Sequence, residues 1–343
     1  MKRLLNTLFV TTQGAYLSRD GETVLVSVNR EPKLRVPIHT LGSIICFGNV
    51  MCSPFLLGLC GENRVHLSFL TENGRFLARV KGPVAGNVLL RRAQYRSADN
   101  ADISVAIARS MVTGKIANCR NVILRAKRDH KDLEERPALQ QAVRHLAGLL
   151  KELAEVEAVD RVRGIEGEAA RAYFGSFDDL ITANKEHFFF HARSRRPPMD
   201  NINTLLSFVY TVLAHDVGSA LEAVGLDPAV GFLHCDRPGR HGLALDLMEE
   251  LRPYLADRLV LSLINRQQVK AAGFTRTESG GVMMDDKTRK ELLIAWQKRK
   301  KEDITHPFLG EKIRIGLLPH VQAMLLARYL RGDLDGYPTF LWR

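Results

Sequence analysis

The sequence predicts an α+β chain: a β-rich, sandwich-like N-terminal domain at residues 1–90, followed by an all-α domain at residues 91–343. Three observations carry this expectation. Short apolar stretches punctuated by turn dipeptides fill the first eighty residues, and apolar positions recur with a helical period after Gly82-Pro83. The 343 residues suffice for two domains at roughly 100–200 residues each.

Taken in order, residues 15–19 and 22–28 flank Asp20-Gly21, a dipeptide suited to a two-residue hairpin because its central positions favour positive φ. Residues 66–70 and 75–80 flank a second turn containing Asn73-Gly74. Between the hairpins, Ser53-Pro54 opens an apolar run that Gly61 closes. An N-cap, a first-turn proline and a glycine stop predict one short helix there. Beyond a boundary within residues 82–102, amphipathic helices are expected at 88–95, 103–128 and 133–157. Helices separated by loops follow to the C-terminus, with no strand-like alternation of comparable strength. Residues 279–287 read as a loop feeding a helix over 289–301. Its cations Lys298, Arg299, Lys300 and Lys301 either face phosphate or close a solvated helix end.

Composition narrows the function classes. With 45% hydrophobic and 25% charged residues the chain is globular in type. No stretch approaches the ~18 consecutive apolar residues of a membrane span, and the N-terminus lacks an apolar segment followed by a cleavage site, so a cytoplasmic protein is expected. The five cysteines Cys46, Cys52, Cys60, Cys119 and Cys235 are odd in number and form no CxxC pair, which argues against a disulfide framework or a thiolate zinc cage. The net charge is +11, which favours a polyanionic partner such as nucleic acid. Of that surplus, +8 falls within residues 1–96, so the acids are concentrated in the second part. A GxxxxGK[ST] phosphate loop and a GxSxG elbow are both missing from the sequence, which disfavours nucleotide-driven motors and serine hydrolases.

Three segments carry candidate chemistry. In Gly164-Ile165-Glu166-Gly167, glutamate is bracketed by glycines that let a ligand approach closely, or it complements the positive end of a helix at its start. His234 precedes a loop with Pro238-Gly239 and is a metal ligand or a core histidine, with His241 as a competitor. Asp246 and Glu249 lie three apart and Glu250 four from Asp246, so these carboxylates share part of one helical face. They are costly there unless paired or bound to a cation, and otherwise belong to a wet face. A set of carboxylates and one imidazole without thiolates suits Mg²⁺ or Mn²⁺. Arg193, Arg195 and Arg196 precede Pro197-Pro198 as a DNA-facing loop or a charged connection. Lys115, Asn118, Arg120, Arg125, Lys127 and Arg128 lie on an earlier helical stretch and are read mostly as solvent-exposed.

In their order along nearly the whole chain, LFVTTQGAYLSRDGETVLV, PIHTLGSIICFGNVMCSPFLL, NGRFLARVKGPVAGNVLLRRAQY, RGIEGEAARAYF, RSRRPPMDNINTLLSFVY and GLDPAVGFLHCDRPGRHGLALDLMEELRP make the chain resemble a known family. This is the CRISPR adaptation integrase family, the first-numbered CRISPR-associated proteins, in its type I-C branch. The resemblance implies a metal-dependent DNA endonuclease and integrase that inserts foreign fragments into the CRISPR array by 3′-hydroxyl attack on a repeat phosphodiester. It implies Glu166, His234 and Glu249 as ligands of Mg²⁺ or Mn²⁺, Glu249 standing where the family often has aspartate. Asp246 matches a nearby carboxylate that some members need. Double-stranded DNA, a second copy of the chain and the small second-numbered CRISPR-associated protein are the implied partners, with the β-rich domain as the dimerisation module. The alternatives are a general metal nuclease for branched or repair DNA and a non-catalytic nucleic-acid-binding scaffold.

Overall fold

The computed structural model describes residues 5–80, 82, 88–133 and 135–342. Its strands and helices fall into two compact units. The first comprises Met1–Ala85 with Met284–Lys298, and the second Gly86–Met283 with Arg299–Arg343. Part of the expected boundary region, at 83–87, lies outside the described residues.

In the first unit, β1 (Asn6–Val10), β5 (Leu41–Phe47), β7 (His66–Leu70) and β8 (Phe76–Val80) form one sheet in that spatial order, parallel except for the β7–β8 hairpin. A second sheet has the order β4 (Glu31–Pro37), β3 (Thr23–Val28), β2 (Tyr16–Asp20), β6 (Met51–Cys52). The sandwich-like expectation is met: Leu17 and Val24 of one sheet and Ile44 and Leu67 of the other share a core with Leu56 and Leu59 of α1 (Pro54–Glu62). The first hairpin is shifted by one residue from the expected turn. Asp20 pairs with Thr23, so Gly21-Glu22 is the loop, with Gly21 at φ +57°. A glycine at the first loop position makes the turn that matches strand twist. Ser53 caps α1 as expected, its side chain accepting from the Leu56 N–H at 3.2 Å. The helix then runs through Gly61 to Glu62.

The second unit is built on helices. α2 (Val88–Asp99) leads into α3 (Ala101–Asp129), capped by Asn100, and then α4 (Pro137–Ala154) and α5 (Val159–Gly175) pack against α3. α6 (Asn201–Val224) packs on α7 (Gly242–Glu249) and α10 (Leu318–Leu330). By length and composition α6 alone among the described helices could cross a membrane, yet 61% of its most apolar window is buried within the protein. After α7 the chain passes through a π-helical turn at Pro253–Asp257 into α8 (Arg258–Asn265). Proline has no N–H to donate, so it is tolerated where a new hydrogen-bonding pattern begins.

The all-helical expectation fails in detail after α8. β9 (Phe274–Arg276) pairs with β10 (Val282–Met284), and β11 (Asp303–Thr305) pairs with β12 (Lys312–Arg314). Three-residue strands are too short to print an alternation in the sequence. They flank α9 (Asp286–Lys300), most of which belongs to the first unit. Two of the four cations at its end are paired within the chain: Lys300 is buried against Asp216 at 2.7 Å, and Arg299 meets Glu302 at 2.5 Å, while Lys298 and Lys301 are exposed.

Candidate active site

The candidate residues reach one region of the second unit from four elements: α3, α5, the loop before α7, and α7 with its following turn. Glu166 lies in the middle of α5 rather than at a helix start. A Cβ at Gly164 or Gly167 would meet nothing within 4 Å, so packing within the chain requires glycine at neither position.

His234 lies on the loop between α6 and α7. Its Nδ1 is 2.6 Å from Asp246 Oδ1. Asp246 is fully buried and also accepts the backbone N–H groups of Phe232, Leu233 and His234 at 2.6, 2.9 and 3.0 Å. With both its oxygens committed, Asp246 is unavailable as a direct ligand and acts on the loop instead. A carboxylate on Nδ1 fixes the proton there and leaves the Nε2 lone pair for a ligand. Gly231 makes the cradle possible, since a Cβ there would stand 2.6 Å from Asp246 Oδ2. Arg163 of α5 adds a second tie, its Nε donating to the Leu233 carbonyl at 2.5 Å.

Glu249 closes α7 and is 2% exposed, so the wet-face alternative is excluded for it as for Asp246. Its Oε1 accepts from Arg252 at 2.5 Å. Its Oε2 is 2.7 Å from the Lys115 ammonium but makes no hydrogen bond of regular geometry. Burial pushes this carboxyl up, but the Arg252 guanidinium and then Lys115 outweigh burial and hold it at about 2.

Lys115 reverses its sequence reading. It is 6% exposed, and its ammonium pairs with Glu166 as well as Glu249. Burial works to lower its pKa, but Glu249 and Glu166 hold it above the ordinary value. Two acids distant in sequence thus converge on one cation. Among the described residues, no three His, Cys, Asp or Glu side chains converge as a metal-ligand cluster. The donor chemistry nevertheless fits a divalent cation: a buried carboxylate oxygen without a regular hydrogen bond, a second carboxylate 26% exposed, and an imidazole oriented through its other nitrogen.

A cleft of about 380 Å³ opens beside these groups, lined in part by Lys115, Glu166, Arg193, Tyr210, Arg252 and Asp257. The Arg193 and Arg252 guanidiniums lie over Tyr210, 5.3 and 5.2 Å from its ring centroid. Tyr210 donates to Asp257 at 2.6 Å. Arg193 is also tied to Asn203 at 2.6 Å and Ser207 at 3.1 Å, whereas Arg195 and Arg196 are exposed. Sequence reasoning missed Lys115, Arg252, Tyr210 and Asp257 as members of the site. The one available signal was Lys115 itself, set at helical spacing among Met111, Val112, Ile116, Cys119 and Val122, all buried.

Burial pushes Asp257 from 3.8 up to about 6 against the opposing Tyr210 hydrogen bond. The folded chain therefore holds this proton more tightly than the unfolded one, and stability falls as pH rises from about 4 to about 6. Asp257→Asn is expected to flatten that part of the curve. Thermal unfolding between pH 4 and 7 checks it, and parallel curves for variant and parent would refute it.

Comparison with known proteins agrees along the whole chain. The sequence profile described as CRISPR associated protein Cas1 matches residues 8–298. The chain is 58% identical over 343 residues to CRISPR-associated endonuclease Cas1 1 of Chlorobaculum tepidum, a match that spans 100% of each protein. It is 52% identical over 347 residues to CRISPR-associated endonuclease Cas1 2 of Rhodospirillum rubrum, again spanning 100% of each. In fold it is similar to a casposase bound to integration product, with a TM-score of 0.85 and 22% identity over 99% of this chain and 95% of that one. With a family profile covering most of its length and relatives identical at more than half of their positions, the chain belongs to the CRISPR-associated Cas1 family.

Proposed function

We propose that the chain is a metal-dependent DNA endonuclease and integrase of CRISPR adaptation, of the type I-C branch, acting in the cytoplasm. The observation that carries the chemical reading is the convergence of Glu166 and Glu249, from separate helices, on a single cation in a site that also receives an oriented histidine. Glu166, Glu249 and the His234 Nε2 would hold Mg²⁺ or Mn²⁺. When bound there, the cation would polarise the scissile phosphate and stabilise charge on the attacking and leaving oxygens.

The chain's own residues prepare that site. Asp246 keeps the His234 proton on Nδ1 and fixes the loop through three N–H groups. Arg252 keeps Glu249 ionised and aims it by holding Oε1. Arg193, anchored on α6, and exposed Arg195 line the cleft and give it a positive rim for a DNA backbone, with exposed Arg196 next in the chain. The partners are double-stranded DNA, a second copy of the chain and the small second-numbered CRISPR-associated protein. Exposed Leu34, Met51, Phe55, Phe76 and Leu77 on the β-rich unit support its role as the dimerisation module.

The test is a repeat-bearing supercoiled plasmid incubated with a fragment carrying free 3′-hydroxyls. Joining of fragment to repeat, abolished by EDTA, is the expected result. Cleavage of branched DNA without joining identifies a general nuclease instead, and inertness with retained DNA binding identifies a scaffold. In the same system, Arg195→Ala with Arg196→Ala should weaken DNA binding at all sequences. The slope of log affinity against log salt should fall by up to about 1.8, at roughly 0.9 per lost phosphate contact. An unchanged slope would remove these two arginines from the DNA surface.

A further inference from the structure

The Lys115 ammonium stands where the two acids meet. It is 6% exposed, and both carboxylates reach it. The second oxygen of Glu249 is taken by Arg252. Two carboxylates are thus balanced by two cations, and the cluster is neutral without any metal. Burying one of these groups without its partners would be costly, so the balance lets the metal-free protein keep the acids side by side.

The backbone that carries Lys115 is fixed on both sides. A Cβ at Gly114 would collide with Glu250 and Thr339, so α3 packs tightly at that turn. One turn on, Asn118 donates to the carbonyls of Glu250 and Phe340 at 2.7 and 2.9 Å. Movement is therefore confined to the side chain. A lysine suits that role: it is a compact charge on a flexible four-carbon stem, where a guanidinium would lock both carboxylates in a rigid fork. The adjoining cleft, which Lys115 itself lines with Asp257, offers the ammonium room and a further carboxylate.

We propose that Lys115 is a resident counter-ion of the metal site: its ammonium holds Glu166 and Glu249 together in the metal-free protein, and a divalent cation displaces it from them on binding. The inference rests on Glu166 and Glu249 being metal ligands. Its consequence is that wild-type affinity is lower than the donor set alone would provide. A neutral side chain at position 115 tightens metal binding and makes folding depend on metal.

The experiment is calorimetric titration of the full chain with MnCl₂, comparing wild type, Lys115→Met, Lys115→Gln and Glu166→Gln, with thermal unfolding of each in EDTA and in Mn²⁺. Both Lys115 variants are expected to bind Mn²⁺ at least about tenfold more tightly, because a like charge within a few ångströms has been removed. Their melting temperatures should fall in EDTA and recover in Mn²⁺, while that of wild type changes little. Should the methionine variant fail to fold in Mn²⁺, the glutamine variant, which keeps an amide donor, takes the measurement. Unchanged or weakened Mn²⁺ affinity in a folded Lys115 variant overturns the proposal, provided that wild-type binding is lost in Glu166→Gln. If wild type binds no Mn²⁺, or Glu166→Gln binds it equally well, the assignment of the metal ligands fails and the counter-ion role falls with it.

Discussion

Glu166→Ala and His234→Ala are each expected to lose Mn²⁺-dependent nicking and strand transfer by at least about 10³-fold while still binding DNA. The size follows from the chemistry: charge stabilisation at a transferring phosphate contributes several kcal/mol, and each ~1.4 kcal/mol is tenfold in rate. Neither side chain belongs to the packed core, since Glu166 is 26% and His234 27% exposed, so both variants fold. Asp246→Asn separates positioning from ligation. Its carboxylate holds the loop and the ring but touches no ligand position, so a loss of roughly 10–100-fold is expected there, the range typical of groups that orient a ligating histidine. Equal losses at His234 and Asp246 would contradict this division of roles. Full strand transfer in either alanine variant would remove that residue from the site.

The second large effect is on stability. Glu250, next to Glu249, enters a separate hydrogen-bonded network and is fully buried. It accepts from Gln322 at 3.0 Å, from the Phe340 N–H at 2.6 Å, and from the Tyr337 and Thr339 hydroxyls. These bonds fasten the C-terminal segment over α3. Glu250→Ala leaves three donors, the Phe340 N–H and the Tyr337 and Thr339 hydroxyls, without this acceptor, while Gln322 keeps Tyr337 and Pro338; at about 1–3 kcal/mol for each orphaned group a loss of about 3 kcal/mol or more is expected. Urea denaturation measures it. The loss should be the same with and without Mn²⁺, because none of these contacts involves Glu166 or His234. A cost below about 1 kcal/mol would mean that the segment is held by other contacts.

Adjacent glutamates with unlike duties show why the site was only partly legible. Helical spacing placed Asp246, Glu249 and Glu250 on neighbouring parts of one face, but it did not show that Glu249 meets Lys115 and Arg252 while Glu250 binds the C-terminal segment. Gly-x-Glu-Gly marked Glu166 and proximity to Pro-Gly marked His234, though neither pattern stated what faced them. Lys115 was read as solvent-exposed because charges on a long helix usually are. It is buried because α5 and the end of α7 both lay acids against α3 at that turn. The strands β9 to β12 went unseen because three residues cannot display a period, and β1 with β5 because parallel pairing joins segments that no turn dipeptide connects.

The sequence by itself determined the order of a β-rich region followed by helices, the hairpins at Asp20-Gly21 and Asn73-Gly74 to within a residue, the cap at Ser53, the family, and the acids and histidine worth testing. These are local patterns or a linear order of motifs, and both are written in the chain. Tertiary structure alone decided that Glu166 and Glu249 meet on Lys115, that Asp246 serves His234, and that Arg252 and Tyr210 complete the cleft. Such contacts join residues far apart in the chain. Their energies depend on burial and on which charges share a desolvated space, and neither is defined until the helices have packed.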